Sequence, residues 1–314
     1  MKVLVVGGAG YVGGAVTDLL PASGKHMVSV YDSLLYEESY LKPVSFYRGD
    51  IRDHARLLPL LYWADAVIWL AALVGDPACA LDPTAAIEVN QDSVRWLADS
   101  FHGRIIFLST CSVYGAAGIV LDEDSPTNPL SVYAVTKLAA ESYLADSNVI
   151  IFRLGTLFGL SDHFSRVRFD LVVNALTLRA HTEGKITVFG GDQYRPLLHV
   201  RDAAAAIVSA LDSSFVGVCN LHRVNMRICE LADDIADHFP DLEIHNTPIQ
   251  FEDHRNYRVL SAKARLELGF DPVTPLSDGI REIKSLLDEG RILNPFSPRY
   301  RNHEHLALAK EAVR

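Results

Sequence analysis

A tyrosine and a lysine four residues apart are the side chains best placed to carry chemistry in this sequence. Tyr133 and Lys137 lie in the segment SVYAVTK, where Ser131 is the expected helix N-cap. In a helix this spacing puts both side chains on one face, about one turn apart. An ammonium group beside a phenol favours the phenolate, so we expect Tyr133 to act as a general base below its usual pKa of about 10.

The end of a predicted strand supplies a third group for the same site. An apolar run at 104–109 is followed by Thr110, Cys111 and Ser112. Ligands of parallel sheets bind at the carboxyl ends of the strands, where a hydroxyl can hydrogen-bond a reacting oxygen and Tyr133. We assign this role to Thr110 and expect Cys111 and Ser112 to contact substrate beside it.

The glycine-rich segment GGAGYVGG at 7–14 predicts a pyrophosphate site. It follows a strand-like run and precedes an amphipathic segment, as a strand, turn and helix would. Glycines there allow a tight turn and close approach of the backbone, and the start of the helix offers unpaired N–H groups to a negative charge. The residues expected to contact the ligand are Gly7, Gly10, Tyr11, Val12 and Gly13.

The second predicted strand ends in Asp32, about 20 positions beyond the glycines. A carboxylate there binds the ribose 2′-hydroxyl and repels a 2′-phosphate, so the expected cofactor is NAD rather than NADP. Small or acidic residues follow two further strands, and Asp50 is placed to accept from an adenine amino group. The remaining expected cofactor contacts are Ser33, Asp50, Ile51, Leu70, Ala71, Ala72 and Asn90, together with Tyr133 and Lys137.

Short apolar runs alternate with helix-length segments over the first 110 residues, which predicts an α/β fold with a Rossmann-like, doubly wound parallel sheet. The predicted strands are 2–6, 27–31, 45–48, 66–69, 104–109, 149–153 and 216–221. We expect an NAD-binding domain at 1–161 and 190–222 and a smaller, discontinuous substrate-binding lobe at 162–189 and 223–294. The tail at 295–314 contains a helical run at 303–313; docking on a partner subunit and mobility both stay open for it.

Composition excludes several classes of function. The net charge is −10 over 314 residues, and no basic stripe for nucleic acid is present. The four cysteines form no CxxC pair, and no HxH or HExxH pattern occurs, so neither a disulfide framework nor a metal site is expected. No signal peptide and no apolar stretch near about 20 residues is evident, which predicts a cytoplasmic protein without a membrane span.

The motifs, in this order, resemble the extended short-chain dehydrogenase/reductase family, and within it the NAD-dependent epimerase/dehydratase group of nucleotide-sugar enzymes. The matching segments are GGAGYVGG, VYDSL, GDIRD, LAAL, STCSVYG, YAVTK, FRLGTLFG and RPLLHVRDAA. The resemblance implies NAD as cofactor and a nucleotide-diphosphate sugar as substrate. It also implies a homodimer through a four-helix bundle, here built from 82–102 and 131–146.

At some positions this chain differs from the family's patterns, and these differences disfavour two of the family's reactions. Sugar-nucleotide 4,6-dehydratases carry Thr-Asp-Glu where this chain has Thr110, Cys111 and Ser112, so dehydration is disfavoured. The 3,5-epimerase/reductases similar to GDP-fucose synthase have a cysteine at the Ser112 position and prefer NADPH, which Asp32 disfavours. The remaining expectation is a 4-epimerase, in which Tyr133 takes the C4 hydroxyl proton while a hydride leaves C4 and returns to its other face.

Two alternatives stay open beside the 4-epimerase. LAALVGDPAC at 70–79 and RVRFDLVVN at 166–174 resemble enzymes acting on nucleotide-activated heptoses, and one kind of member stops at the ketone. A nucleotide-sugar 4-dehydrogenase is therefore the close alternative. A non-catalytic dinucleotide sensor is the alternative of another class, and the retention of Tyr133 and Lys137 disfavours it.

Two arginines are expected to bind the substrate diphosphate. Arg195, in GDQYRP, matches the family arginine that contacts the diphosphate, and Arg255, in DHRNYR, resembles a second one. Guanidinium groups suit this task because they make charge-assisted hydrogen bonds to phosphate oxygens. Arg168 and Asn174, with Asp170 nearby, are expected to contact the sugar or the nucleotide.

Overall fold

The computed structural model describes residues 1–248 and 256–312 of the chain. Short runs rich in β-branched and other apolar residues form strands, because such side chains pack on both faces of a covered sheet. In chain order the strands are β1 (Lys2–Val6), β2 (Met27–Asp32), β3 (Ser45–Arg48), β4 (Ala66–Trp69), β5 (Arg104–Thr110), β6 (Ala116–Leu121), β7 (Val149–Leu154), β8 (Thr156–Phe158), β9 (Lys185–Phe189), β10 (Tyr194–His199), β11 (Gly217–Leu221), β12 (Val224–Arg227), β13 (Glu243–Thr247) and β14 (Asn256–Val259).

Helices connect the strands, and polar side chains cap several of them. Ser131 accepts from the backbone N–H of Ala134 at 3.2 Å, so the N-cap expected from the sequence is present. No helix within the described ranges is both long and apolar enough to cross a bilayer. The helices are α1 (Tyr11–Ala22), α2 (His54–Trp63), α3 (Asp76–Leu81), α4 (Pro83–Ile87), α5 (Ser93–Ser100), α6 (Val132–Tyr143), α7 (Val172–Glu183), α8 (Val200–Ser209), α9 (Ile228–Ala236), α10 (Ala262–Leu268), α11 (Leu276–Asp288) and α12 (Asn302–Ala312).

Seven strands form one parallel sheet in the order β11-β7-β5-β4-β1-β2-β3. The predicted Rossmann-like sheet is therefore confirmed, and its strands differ from the predicted ranges by at most one residue at an end. The order reverses between β1 and β4, where neighbouring loops diverge to opposite faces of the sheet. A crevice outside the carboxyl ends of these two strands is the expected ligand site.

The core lies on both faces of this sheet. Alternate residues of β1 point to opposite sides, and its residues from Val3 to Val6 are fully buried. Val3 and Val5 pack with α1 and α8, whereas Leu4 and Val6 pack with α2, α5 and α6. Burial on both faces holds β1, and with it the glycine turn that follows, in a fixed position.

The other seven strands form three small sheets, β12-β10-β8, β13-β9 and β14-β6. A separate apolar core forms where α7, α9 and α11 pack together. β14 pairs with β6 although more than 130 positions of sequence separate them. The predicted boundaries of the two lobes remain a prediction.

The C-terminal tail packs on its own chain. A 3₁₀ turn at Pro298–Tyr300 leads into α12, which lies against α3. Within the described residues the tail is not detached from the chain, and its docking on a partner subunit stays open. Polar side chains of α12 bind backbone carbonyls beside α3 and in the loop after β2.

Candidate cofactor and active site

A large cavity opens at the carboxyl edge of the seven-stranded sheet. Its volume is about 1620 Å³, which exceeds the range of about 300–1000 Å³ common for one drug-sized ligand and leaves space for two ligands. Eighteen of the residues predicted for the site line it: Gly7, Gly10, Tyr11, Val12, Gly13, Asp32, Ser33, Asp50, Ile51, Leu70, Ala71, Ala72, Thr110, Ser112, Tyr133, Lys137, Arg168 and Arg195.

The glycine turn after β1 leaves no space for side chains. Gly7 has φ +88°, and a Cβ on it would lie 2.5 Å from the backbone nitrogen of Ala71. A Cβ on Gly13 would lie 2.4 Å from the carbonyl oxygen of Gly7. The first helical hydrogen bond of α1 runs from Gly14 N–H to the Gly10 carbonyl at 2.8 Å, so the preceding N–H groups, at the cavity, suit a pyrophosphate.

Asp32 is held in place by the backbone around it. Its carboxylate accepts from Ala9 N–H at 3.0 Å and from Leu34 N–H at 2.7 Å. Burial raises the pKa of Asp32, and these two hydrogen bonds oppose that effect. A fixed carboxylate at the end of β2, on the rim of the cavity, suits ribose hydroxyls and disfavours a 2′-phosphate.

Asp50 lines the cavity after β3, but its carboxylate already has a partner. The guanidinium of Arg52 binds it at 2.7 and 3.0 Å, and the Arg52 backbone N–H adds a third contact at 2.9 Å. These contacts lower the pKa of Asp50. The structure thus shows a local salt bridge at the position predicted to meet adenine.

Tyr133 and Lys137 lie one turn apart on α6, as predicted, and both face the cavity. Lys137 is only 3% exposed, and its Nζ lies 4.1 Å from the centroid of the Phe107 ring. Burial lowers the pKa of Lys137 to about 7, although the charge of Glu141 opposes this shift.

The pKa of Tyr133 reflects its burial in the protein without a bound cofactor. Burial raises its pKa above the usual value, and the charge of Arg168 opposes the rise. The lowering expected from the sequence depends on the Lys137 ammonium together with the positively charged nicotinamide ring of NAD. It therefore stays a prediction for the NAD-bound protein.

The segment after β5 presents hydroxyls rather than acids. Thr110 Oγ1 accepts from Ser112 N–H at 3.1 Å, and Ser112 Oγ lies 3.2 Å from the hydroxyl of Tyr257. Cys111 is fully buried and its thiol donates to the Arg153 carbonyl at 3.1 Å. Cys111 therefore does not line the cavity, contrary to the prediction, because the 3₁₀ turn at Cys111–Tyr114 directs it into the core.

Two predicted asparagines also lie outside the cavity lining. The Asn90 amide binds both the N–H and the carbonyl of Leu73, at 2.8 and 2.9 Å. The Asn174 amide accepts from Gly159 N–H at 3.0 Å and donates to the Arg168 carbonyl at 3.0 Å. These hydrogen bonds hold loops of the site, and neither side chain lines the cavity.

Three arginines were predicted for the substrate, Arg195 and Arg255 for its diphosphate and Arg168 for its sugar or nucleotide. Arg195 lines the cavity, is 6% exposed and donates to its neighbour's carbonyl at 2.9 Å. Arg168 lines it too, and forms two hydrogen bonds of 2.9 Å to the carboxylate of Asp170. Arg255 lies outside the described residues.

Several cavity residues were missed in the sequence. Tyr257 reaches the site because β14 pairs with β6, and no local pattern reveals that pairing. Asn302 and Leu306, in the tail, line the cavity as well. The available signal was the helical run after Pro298, but a helix in a tail does not show what it will pack against.

Comparison with known proteins supports this picture. The sequence model described as the NAD dependent epimerase/dehydratase family matches residues 3–221. The chain is 28% identical to a dTDP-glucose 4,6-dehydratase from Streptomyces niveus, covering 90% of this chain and 91% of the relative. It is 27% identical to a UDP-glucose 4-epimerase from Corynebacterium glutamicum, covering 87% and 91%.

A solved structure has the same architecture. The UDP-glucose 4-epimerase of Thermus thermophilus, in complex with NAD, matches with a TM-score of 0.78 at 25% identity, covering 91% of this chain and 98% of that one. The cofactor of this chain is NAD, and its glycine turn and Asp32 fit that group. Relatives of equal similarity differ in reaction, so similarity alone does not select one.

The glycine turn gives a direct test of the cofactor site. Gly13→Ala should weaken NAD binding at least about tenfold, because the new methyl group forces the Gly7 carbonyl and the start of α1 apart. Gly118→Ala is the matched control, since a Cβ there meets nothing within 4 Å. Titration calorimetry with NAD compares the two; equal affinities would remove the glycine turn from the cofactor site.

The buried lysine predicts a pH dependence of stability. Lys137 loses its proton near pH 7 when folded and near pH 10.5 when unfolded. Between these values the unfolded chain binds more protons, so the free energy of unfolding should increase from pH 7 to about 8, where most unfolded thiols, with a pKa of about 8.5, are still protonated.

Urea titrations of the NAD-free protein measure this dependence. Lys137→Met should flatten the increase, while Lys25→Met, which removes an exposed ammonium, should keep it. The same slope in wild type and Lys137→Met would contradict the burial of a titrating lysine at this site.

Proposed function

The chain belongs to the NAD-dependent epimerase/dehydratase family, and from that premise we propose that it is a nucleotide-sugar 4-epimerase. One observation carries the proposal. Tyr133, Lys137 and Thr110 line the same cavity, while the positions after Thr110 hold a buried thiol and a hydroxyl. This set can move one proton at a sugar hydroxyl but has no acid at 111 or 112 to remove water.

The proposed reaction assigns each group one task. Thr110 Oγ1 and the Tyr133 hydroxyl hold the C4 oxygen of the sugar, and Tyr133 takes the C4 hydroxyl proton. The bound cofactor supplies a hydride acceptor and a positively charged ring, which favours the phenolate. The 4-keto sugar would then rotate in the site, so that the hydride could return to its other face while Tyr133 gives back the proton. The substrate and product therefore have the same composition.

Lys137 supports Tyr133 from the next turn of α6. Its low exposure means that its charge is poorly screened, so a small rearrangement of partners changes its protonation strongly. Glu141, one further turn along, favours the protonated lysine. We propose that Lys137 is protonated during turnover and supplies positive charge beside Tyr133.

The substrate is proposed to be a nucleoside diphosphate sugar. Arg195 is buried at the cavity, where its guanidinium can pair with a diphosphate. The names of the relatives include UDP-glucose and dTDP-glucose as their substrates, and the segments at 70–79 and 166–174 add nucleotide-activated heptoses to the candidates. A homodimer through 82–102 and 131–146 and a cytoplasmic location remain predictions.

Product analysis tests the proposed reaction. The protein with catalytic NAD is offered UDP-, GDP-, ADP-, CDP- and dTDP-sugars, heptoses included, and products are identified by NMR and mass spectrometry. A 4-epimerase yields an epimer of unchanged mass. In a parallel reaction with excess NAD, accumulation of a 4-keto sugar with one equivalent of reduced cofactor would instead identify the 4-dehydrogenase. A product lighter by one water would identify a dehydratase.

The role of Tyr133 has its own test. Tyr133→Phe should lower kcat by about 100- to 10,000-fold, because it removes the group that accepts and returns the proton, and should leave the affinity for NAD within about threefold of wild type. Tyr143→Phe is the matched control, since Tyr143 is 36% exposed near the end of the same helix. Normal turnover in Tyr133→Phe would refute the assigned site.

A further inference from the structure

The C-terminal helix shares the cavity of the cofactor. α12 follows the 3₁₀ turn at Pro298–Tyr300 and places one of its faces on that cavity. The spacing of these residues is that of neighbouring positions on one side of a helix. The face consists of Asn302, His303, Leu306, Ala309 and Lys310.

Asn302, at the start of this helix, binds the loop after β4 on one side and the segment with Arg166 and Asp170 on the other. It is 3% exposed. Its Nδ2 donates to the Val74 carbonyl at 2.9 Å, in the loop after β4, and its Oδ1 accepts from the guanidinium of Arg166. Its backbone N–H donates to the carboxylate of Asp170 at 3.0 Å. A buried amide with all these partners fixes the position of the helix.

Arg166 extends the connection to the loop after β2. Its guanidinium donates to the Arg299 carbonyl at 2.9 Å and lies 4.2 Å from the Tyr36 ring centroid. Its backbone N–H donates to Glu37 at 2.8 Å. The loop that continues from Asp32 is therefore tied to the tail.

The remaining contacts distribute along α12. His305 is within 3.0 Å of the Leu35 carbonyl, and Lys310 donates to the Leu81 carbonyl at 3.0 Å. Leu306 packs against the apolar cluster around Leu73 and Cys79, against which Tyr133 also packs. The helix thus spans from the loop after β2 to the loop and helix after β4, the two segments that flank the predicted NAD site.

The same helix reaches the catalytic side through Asp170. The Asp170 carboxylate that accepts from Asn302 also binds Arg168, whose charge opposes the raised pKa of Tyr133. α3, on which α12 lies, binds the catalytic helix too, since Asp76 accepts from the Ser131 hydroxyl at 2.6 Å. Displacing α12 would loosen both connections.

We propose that α12 forms an outer wall of the cofactor site, with Asn302 as its positioning residue, and that this wall retains NAD between turnovers. This inference rests on the proposed epimerase function, because retained NAD is useful only to an enzyme that regenerates it. An epimerase restores its NAD in every cycle, so a wall that slows NAD release does not slow its turnover. A dehydrogenase must release reduced cofactor each time, and this wall would obstruct that release.

Cofactor dissociation, measured without any sugar, tests the wall. Full-length protein loaded with isotopically labelled NAD is chased with unlabelled NAD, and the label still bound is counted over time. Asn302→Ala should release NAD about tenfold faster, because two side-chain hydrogen bonds are lost. Asn302→Asp, which keeps the acceptor for Arg166, should recover part of the retention.

Two control variants distinguish a specific effect of α12 on NAD release from a general loss of stability. Leu308→Ala changes an exposed residue of the same helix and should retain NAD as wild type does. Leu211→Ala removes core volume beyond the end of α8, and should lower the thermal midpoint without faster release. Equal acceleration by Leu211→Ala, or wild-type release by Asn302→Ala, would overturn the proposal.

A second variant covers the case in which Asn302→Ala does not fold. Leu306→Ala keeps the hydrogen bonds of α12 and removes only part of its apolar packing, so it should also accelerate NAD release. An unchanged rate of release would again refute the proposed wall. Failure of the proposed reaction is distinguishable, because a released keto product leaves the dissociation rates untouched. If Asn302→Ala and Leu306→Ala both epimerise the substrate and retain NAD as wild type does, the proposed reaction is supported and the proposed wall is refuted.

Discussion

A buried carboxylate fixes the position of the helix that carries the chemistry. Glu141 lies one turn beyond Lys137 on α6, accepts from the Ser109 hydroxyl at the end of β5, and binds the guanidinium of Arg153 on β7 at 2.7 Å. A buried charge is tolerated only with such partners, so α6 cannot slide without leaving one unpaired. Tyr133 therefore keeps its place relative to the strand that presents Thr110. Arg153 continues this network through Tyr114 to Asn220 on β11.

The partners of Glu141 compensate its burial, but burial favours the neutral forms of Tyr133 and Lys137. Without a ligand it raises the pKa of Tyr133 and lowers that of Lys137, so both groups are driven toward their neutral forms. The cavity supplies a poor environment for charge until a charged ligand enters it. In the proposed reaction, the fold fixes the positions of Tyr133 and Lys137, whereas the protonation state that the reaction needs would depend on cofactor binding.

The sequence predicted what depends on local patterns. The spacing of apolar runs and the identity of turn residues located the strands of the main sheet, the glycine turn, Asp32 and the Ser131 cap. It could not predict side chains whose partners come from distant segments. The thiol of Cys111 turns inward to the Arg153 carbonyl, and the amide of Asn174 is occupied by Gly159 and Arg168. Tyr257 and Asn302 reach the cavity only through long-range packing, which leaves no periodic signal.

In the proposed reaction, one hydride leaves C4 and returns to the same carbon. A nucleotide sugar that the protein turns over, carrying deuterium at C4, tests this directly when product is analysed by NMR and mass spectrometry after reaction in ordinary water. We expect the deuterium to remain at C4 in both epimers, with no reduced cofactor in solution. Deuterium recovered in released reduced cofactor, beside an unlabelled 4-keto sugar, would contradict the claim.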